Sequence, residues 1–153
     1  MICQASRWIY GGLQLFFTEW NPGWNLDEPY AAAALVKTIV DNQGLVDLYS
    51  YWTYSDLFEE WPLESLPLHD GFGLQTIHGI AKPSYRAFQL LHAAGAERIP
   101  IAAPPQGTVE VAALAEGGTL TILAWNHAPP GALIAAEEAR VIVHGAQGLP
   151  ASA

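Results

Sequence analysis

Apolar and β-branched residues run almost unbroken from Leu13 to Thr18, stop at Glu19, and meet a chain break at Asn21-Pro22-Gly23. A near-continuous apolar run of this length predicts a strand buried on both faces, as in parallel sheets. Glu19 falls at its C-terminal end, beside Trp20 and Trp24. In sheets and barrels built from βα units that end carries the chemistry. The plain alternative is a carboxylate that meets solvent as the chain leaves the core. Asp27-Glu28-Pro29 then reads as a helix start, with acid at the positive end of the dipole and proline in the first turn. The pattern predicts a helix from Tyr30 to Val40, with Leu35, Val36, Ile39 and Val40 as its apolar stripe and Gly44 as its stop.

Residues 45–54 (Leu-Val-Asp-Leu-Tyr-Ser-Tyr-Trp-Thr-Tyr) predict a second strand, rich in aromatic and β-branched side chains. A long polar and aromatic loop follows, from Ser55 to about Gly73, and loops of that length are commonly functional. Within it, His69 and Asp70 either orient one another or form an ordinary turn. Lys82-Pro83-Ser84 opens a second helix with Ser84 as candidate N-cap; Tyr85, Phe88, Leu91 and His92 share a face, and Ala93-Ala94-Gly95 ends it. Strand, helix, strand, loop and helix in that order predict a parallel α/β arrangement. The character changes near Arg98, where Pro100, Pro104 and Pro105 mark a junction. Beyond it, 108–115 and 119–126 predict a hairpin around Glu116-Gly117-Gly118, and 140–144 a further strand. Three strands cannot close a sandwich, so they either dock on the first part or lack partner strands. Two domains are expected, 1–97 and 98–153.

Composition narrows the function classes. The chain has 153 residues, is 51% hydrophobic and 14% charged, and so has the makings of a globular core. A net charge of -9 with only six Lys and Arg argues against nucleic acid, whose phosphates need a basic face. The single cysteine, Cys3, allows no internal disulfide, and the five His are scattered without zinc-like spacing. No apolar run approaches the roughly 18 residues of a membrane span. No signal peptide is visible, so a cytoplasmic location is the default expectation.

Three segments together resemble glycoside hydrolase family 39, the β-xylosidases and α-L-iduronidases. They are Phe17-Thr18-Glu19-Trp20-Asn21, the more specific Ser50-Tyr51-Trp52-Thr53-Tyr54-Ser55-Asp56-Leu57-Phe58-Glu59-Glu60, and His69-Asp70-Gly71-Phe72-Gly73-Leu74 followed by Lys82-Pro83. The likeness covers roughly Leu13 to Asn126 and is nearest the β-xylosidase branch. It implies the C-terminal part of a (β/α)8 TIM barrel, whose last two strands are the two predicted above, followed by part of a β-sandwich. It implies a retaining hydrolase of xylo-oligosaccharides that needs no metal or organic cofactor. Glu19 matches the family's nucleophile. Trp52, Glu59 and Glu60 match positions lining the sugar subsite, and Trp24 is a looser match. The residue types suit the chemistry, because retaining hydrolysis pairs an attacking carboxylate with a proton-donating one about 5–5.5 Å away. The family's acid/base glutamate follows an Asn, and no Asn-Glu pair occurs in this sequence. The expectation is a C-terminal portion that holds the nucleophile without the acid/base.

Two rivals remain at this stage. An α-L-iduronidase-like hydrolase would need basic residues for a uronate, whereas the loops here are acidic. A non-catalytic carbohydrate-binding piece would use Trp20, Trp24, Trp52 and Trp61 to stack on sugars. The sequence leaves the oligomeric state open.

Overall fold

The computed structural model describes residues 13–58, 64–102, 107–128, 132 and 136–145. Its elements are β1 (Phe16–Trp20), α1 (Pro29–Asp41), β2 (Leu48–Tyr51), α2 (Pro83–Ala94), β3 (Glu97–Ile99), β4 (Val109–Glu116) and β5 (Thr119–Asn126). β1 and β2 pair in parallel across the α1 crossover, and β3, β4 and β5 form an antiparallel sheet in that order. The chain is therefore a mixed α/β structure with a parallel βαβ unit, as the order of apolar runs predicts.

The first strand departs from expectation in two ways. It begins at Phe16 and carries Glu19 within it rather than beyond it. It is also not buried on both faces: Phe16 is 49% and Phe17 46% exposed, and Leu13 and Leu15 are exposed as well. The reason is the size of the sheet. A two-stranded sheet buries little of its own apolar surface, and among the described residues few neighbours cover the side chains of β1. β2 is likewise shorter than the predicted 45–54, because the backbone ladder carries on only through single bonds, from Asp47 N to Leu15 O and from Trp52 N to Trp20 O, each 2.9 Å.

Both helices start on proline, where the missing N–H costs nothing. Helix α1 buries Ala31, Ala34, Leu35 and Val40, and Gly44 lies beyond its end with φ 80°, after the C-cap Asn42. The expected N-cap of α2 is corrected. Lys82 holds that position, no side chain caps the helix, and Ser84 is buried inside the first turn. Its inner face is set by Ser84, Ala87 and Ala94, small residues that allow close packing, while His92 and Leu90 are exposed.

The C-terminal strands dock on the helices. Val40 of α1, Ala112 of β4 and Trp125 of β5 form one buried cluster, joined by Ala33, Val36, Leu91 and Leu123. Lys37 bridges Asp41 (2.9 Å) and Glu110 (2.7 Å), tying α1 to β4. Arg98 donates to the carbonyl of Val40 at 3.0 Å, adding to the backbone bond that this carbonyl takes from Gln43 N at the end of α1. The hairpin turns on Gly117 and Gly118, both at positive φ, the backbone that a two-residue type I′ turn requires. The strand expected at 140–144 does not form; that stretch is exposed and irregular, and the third strand of the sheet is β3 instead. Nearby, Glu137 accepts hydrogen bonds from Thr108 N and Oγ1, which hold its carboxyl below the usual range.

Two outcomes follow from this packing. Trp125→Ala should cost about 3–5 kcal/mol, as large aromatic truncations in cores do, and urea denaturation would measure it. Tyr51 lies against Phe88 of α2, rings 5.8 Å apart, and burial pushes its phenol above the ordinary 10.0, with Ser84 opposing and Asp56, Asp27 and Asp70 adding. A folded pKa above the unfolded one means that this contribution is complete below about pH 10 and is lost as pH rises through the folded value. In alkaline absorbance titration Tyr51 should ionise late, as should Tyr49, which burial also raises, and Tyr51→Phe should shrink the late step without removing the part from Tyr49.

Candidate active site

The C-terminal ends of β1 and β2 gather most of the residues that the sequence singles out. The register sets Phe17 opposite Tyr49 but Trp20 opposite Tyr51, so Thr18 and Glu19 together face Ser50. Two residues against one is a bulge, a device that re-aims side chains next to functional sites. Its bulged pair includes Glu19. The Glu19 side chain is exposed and has no ion-pair partner among the described residues. Beneath it an aromatic layer fixes the two strands: Phe17 stacks on Tyr49 at 5.9 Å, and Trp20 meets Tyr49 at 5.4 Å and Tyr51 at 5.9 Å.

Trp52 is tied directly to the residues that follow Glu19. Its backbone N–H donates to Trp20 O, and its carbonyl accepts from Asn21 Nδ2 at 2.8 Å. Asn21 Oδ1 in turn accepts from Gly23 N at 2.8 Å, closing the turn that leads to Trp24. One amide side chain thus couples the loops bearing Trp24 and Trp52. The Trp52 ring is half-buried and meets Phe58 edge-on at 5.4 Å, and Phe58 meets Phe72 at 6.5 Å. The Trp52–Thr53 peptide is cis. Trp24 is 57% exposed. Glu59 and Glu60, with Trp61, lie outside the described residues.

Behind these loops sits a buried ionic cluster. Lys82 Nζ is fully buried, 2.8 Å from Asp56 Oδ2, 2.6 Å from Asp27 Oδ1, and 2.8 Å from the Gly71 carbonyl to which it donates. Asp56 Oδ1 also accepts from Gly73 N at 2.7 Å. Asp27 Oδ2 accepts from Asp70 N at 2.6 Å, and the Asp70 carboxylate accepts from the backbone of Asn25 and Leu26. His69 is turned to another partner, its Nδ1 lying 2.9 Å from Leu66 O, so the structure gives His69 and Asp70 separate roles. Gly71 and Gly73 allow this closeness, since a Cβ on Gly71 would strike the Asp56 carboxylate and one on Gly73 the Asp56 backbone. Among the described residues no three His, Cys, Asp or Glu side chains converge as a metal site.

Sequence reasoning named Glu19, Trp24 and Trp52 but gave Asn21, Asp27 and Lys82 no role beyond chain breaking and helix starting. A signal for Lys82 was present. A cation at a helix N-terminus opposes the dipole, so a lysine there calls for carboxylates. Which carboxylates answer it depends on loops 26 and 55 residues away in sequence, those of Asp56 and Asp27.

The arrangement can be compared with known proteins. A beta-xylosidase of Caldicellulosiruptor saccharolyticus is 42% identical over 143 residues, covering 87% of this chain and 29% of that protein. A monomeric beta-xylosidase from Caulobacter crescentus CB15 superimposes with a TM-score of 0.66 at 33% identity, covering 85% of this chain and 28% of that one. The family 39 enzyme of Xanthomonas axonopodis pv. citri gives the same TM-score at 30% identity, over 87% of this chain and 28% of its own. The chain thus spans under a third of the length of these relatives. Residues 9–148 match the model of glycosyl hydrolases family 39. With nearly its whole length matched, this chain belongs to glycosyl hydrolase family 39.

Proposed function

We propose that this chain is the nucleophile-bearing C-terminal portion of a retaining, β-xylosidase-type glycoside hydrolase. Residues 1–97 then supply the last two strands of a (β/α)8 barrel with their helices, and 98–153 part of a β-sandwich packed on it. The parallel β1–β2 unit, the apolar residues left uncovered on β1 and the docked β4–β5 hairpin, with β3 at the junction, support that division. The observation that carries the functional reading is the bulge at Thr18 and Glu19, which sets an exposed carboxylate beside the strand end that continues into Trp52.

In this reading a Glu19 carboxylate oxygen attacks the anomeric carbon, and the bond to the leaving oxygen breaks. A glycosyl ester forms, and water later cleaves it. Trp52 offers an apolar face to the sugar ring, with Trp24 at the margin. Glu59 and Glu60 accept hydrogen bonds from ring hydroxyls, which charged acceptors make strong. The substrate is a neutral xylo-oligosaccharide: relatives carry the β-xylosidase name, and the acidic loops do not suit a uronate. The proton donor is not provided by an Asn-Glu pair of this sequence.

That last point selects the test. A 2,4-dinitrophenyl β-xyloside needs no proton donor, because dinitrophenolate departs as the anion. The expected outcome is release of about one equivalent of dinitrophenolate per chain, with one xylosyl unit found by mass spectrometry on the peptide containing Glu19. Glu19→Gln should abolish both. Labelling of another carboxylate, or none with a folded sample, would overturn the assignment.

A further inference from the structure

We propose that Lys82 is a positioning residue: its buried ammonium holds the loop carrying Trp24 and the loop following Trp52 in fixed relation to each other. The proposal rests on the reading of these loops as a sugar site. Three chain segments, far apart in sequence, converge on one nitrogen: Asp27 three residues after Trp24, Asp56 four residues after Trp52, and Gly71 in the Asp-Gly-Phe-Gly turn.

Each contact reaches a different part of the site wall. Through Asp27, Lys82 is linked to the N–H of Asp70, whose carboxylate binds back to Asn25 and Leu26 and closes a ring around the first loop. Asp70 adopts a positive φ of 61° to do so. Through Asp56 and Gly71, Lys82 holds the 71–75 segment. That segment pairs with the chain beyond Trp52: Thr53 N donates to Phe72 O at 2.9 Å, and Leu74 N to Thr53 O at 2.8 Å. It also carries Phe72, which backs Phe58 against the Trp52 ring. Lys82 itself is anchored at the start of α2, a rigid element packed on α1. The apolar core does not perform this task. Its buried cluster of Val40, Ala112 and Trp125 joins α1 to the C-terminal sheet; of the loop residues, Leu26 is buried, but it belongs to the first loop alone and does not link it to the chain after Trp52 through that cluster.

A device for position differs from one for stability in its response to neutralisation. Replacing a buried ion pair by neutral groups of similar shape is often harmless to stability, whereas leaving one charge behind is not. The set Lys82→Met, Asp27→Asn and Asp56→Asn neutralises every charge of the cluster and keeps Asn oxygens as acceptors for Asp70 N and Gly73 N. Amide hydrogen exchange in the full chain reads the result. The expected outcome is exchange about tenfold faster or more at Leu26 and Asp70, with Leu35 of α1 as protected as in the wild type. The midpoint of thermal unfolding should stay near wild type. Asp27→Asn, a milder change, should speed exchange at the same two amides. Unchanged exchange at Leu26 and Asp70, or faster exchange spread evenly through α1, would overturn the proposal. Xylobiose binding, followed by tryptophan fluorescence, separates this from the functional reading. Binding by the wild type that weakens in the triple variant supports positioning of the sugar site. Failure of the wild type to bind would contradict the functional reading alone, because the exchange pattern still decides whether Lys82 holds the loops.

Discussion

A single ammonium group, sealed from water and shared by two carboxylates and a carbonyl, decides how the loops of this chain are arranged. An unpaired charge at that depth costs several kcal/mol, so burying Lys82 requires charged partners, and Asp27 and Asp56 supply them. Removing one partner of such a pair typically costs about 3–5 kcal/mol, while replacing the whole pair costs far less. The cluster therefore contributes little net stability over an apolar plug. What it contributes is discrimination: alternative loop arrangements leave a buried charge without a partner. Gly71 and Gly73 are part of the same constraint, since only a residue without a Cβ lets the turn reach Asp56.

The loops so fixed meet the end of a small parallel sheet, and there the local geometry turns toward chemistry. The bulge in β1 interrupts regular pairing at Thr18 and Glu19 and resumes it at Trp20. The aromatic layer of Phe17, Trp20, Tyr49 and Tyr51 secures the strands on either side, so the irregularity is confined to the carboxylate. Asn21 then passes the constraint to Trp52 and to the Gly23 turn. Sequence, packing and candidate function are linked here in one short run, from Phe17 to Trp24.

Much of this was legible in the sequence, for identifiable reasons. The βαβ unit announced itself because apolar runs of strand length alternate with an alanine-rich helix, and the hairpin because two glycines separate two β-rich stretches. Burial of Leu13 to Thr18 was misjudged because an apolar run reports what a strand is built to contact, not which neighbours are there to cover it. The strand at 140–144 was misjudged because the run of β-branched residues Val141, Ile142 and Val143 is a local signal, and sheet β3–β4–β5 completed itself with Glu97–Ile99 instead. Ser84 looked like a cap by residue type, yet the cap lies two residues earlier, on a lysine whose charge is needed elsewhere, and the helix starts on Pro83. The ionic cluster was illegible as a whole, because its members lie on separate loops and nothing in their spacing pairs them.

The central claim is that the ends of β1 and β2 form one sugar-binding site around Glu19 and Trp52. Indole N–H resonances, followed by nuclear magnetic resonance during titration with xylobiose, test it most directly. The account predicts saturable shifts of Trp52, with smaller ones at Trp24, while Trp125 in the core stays in place. Shifts absent at Trp52, or as large at Trp125 as at Trp52, would contradict it.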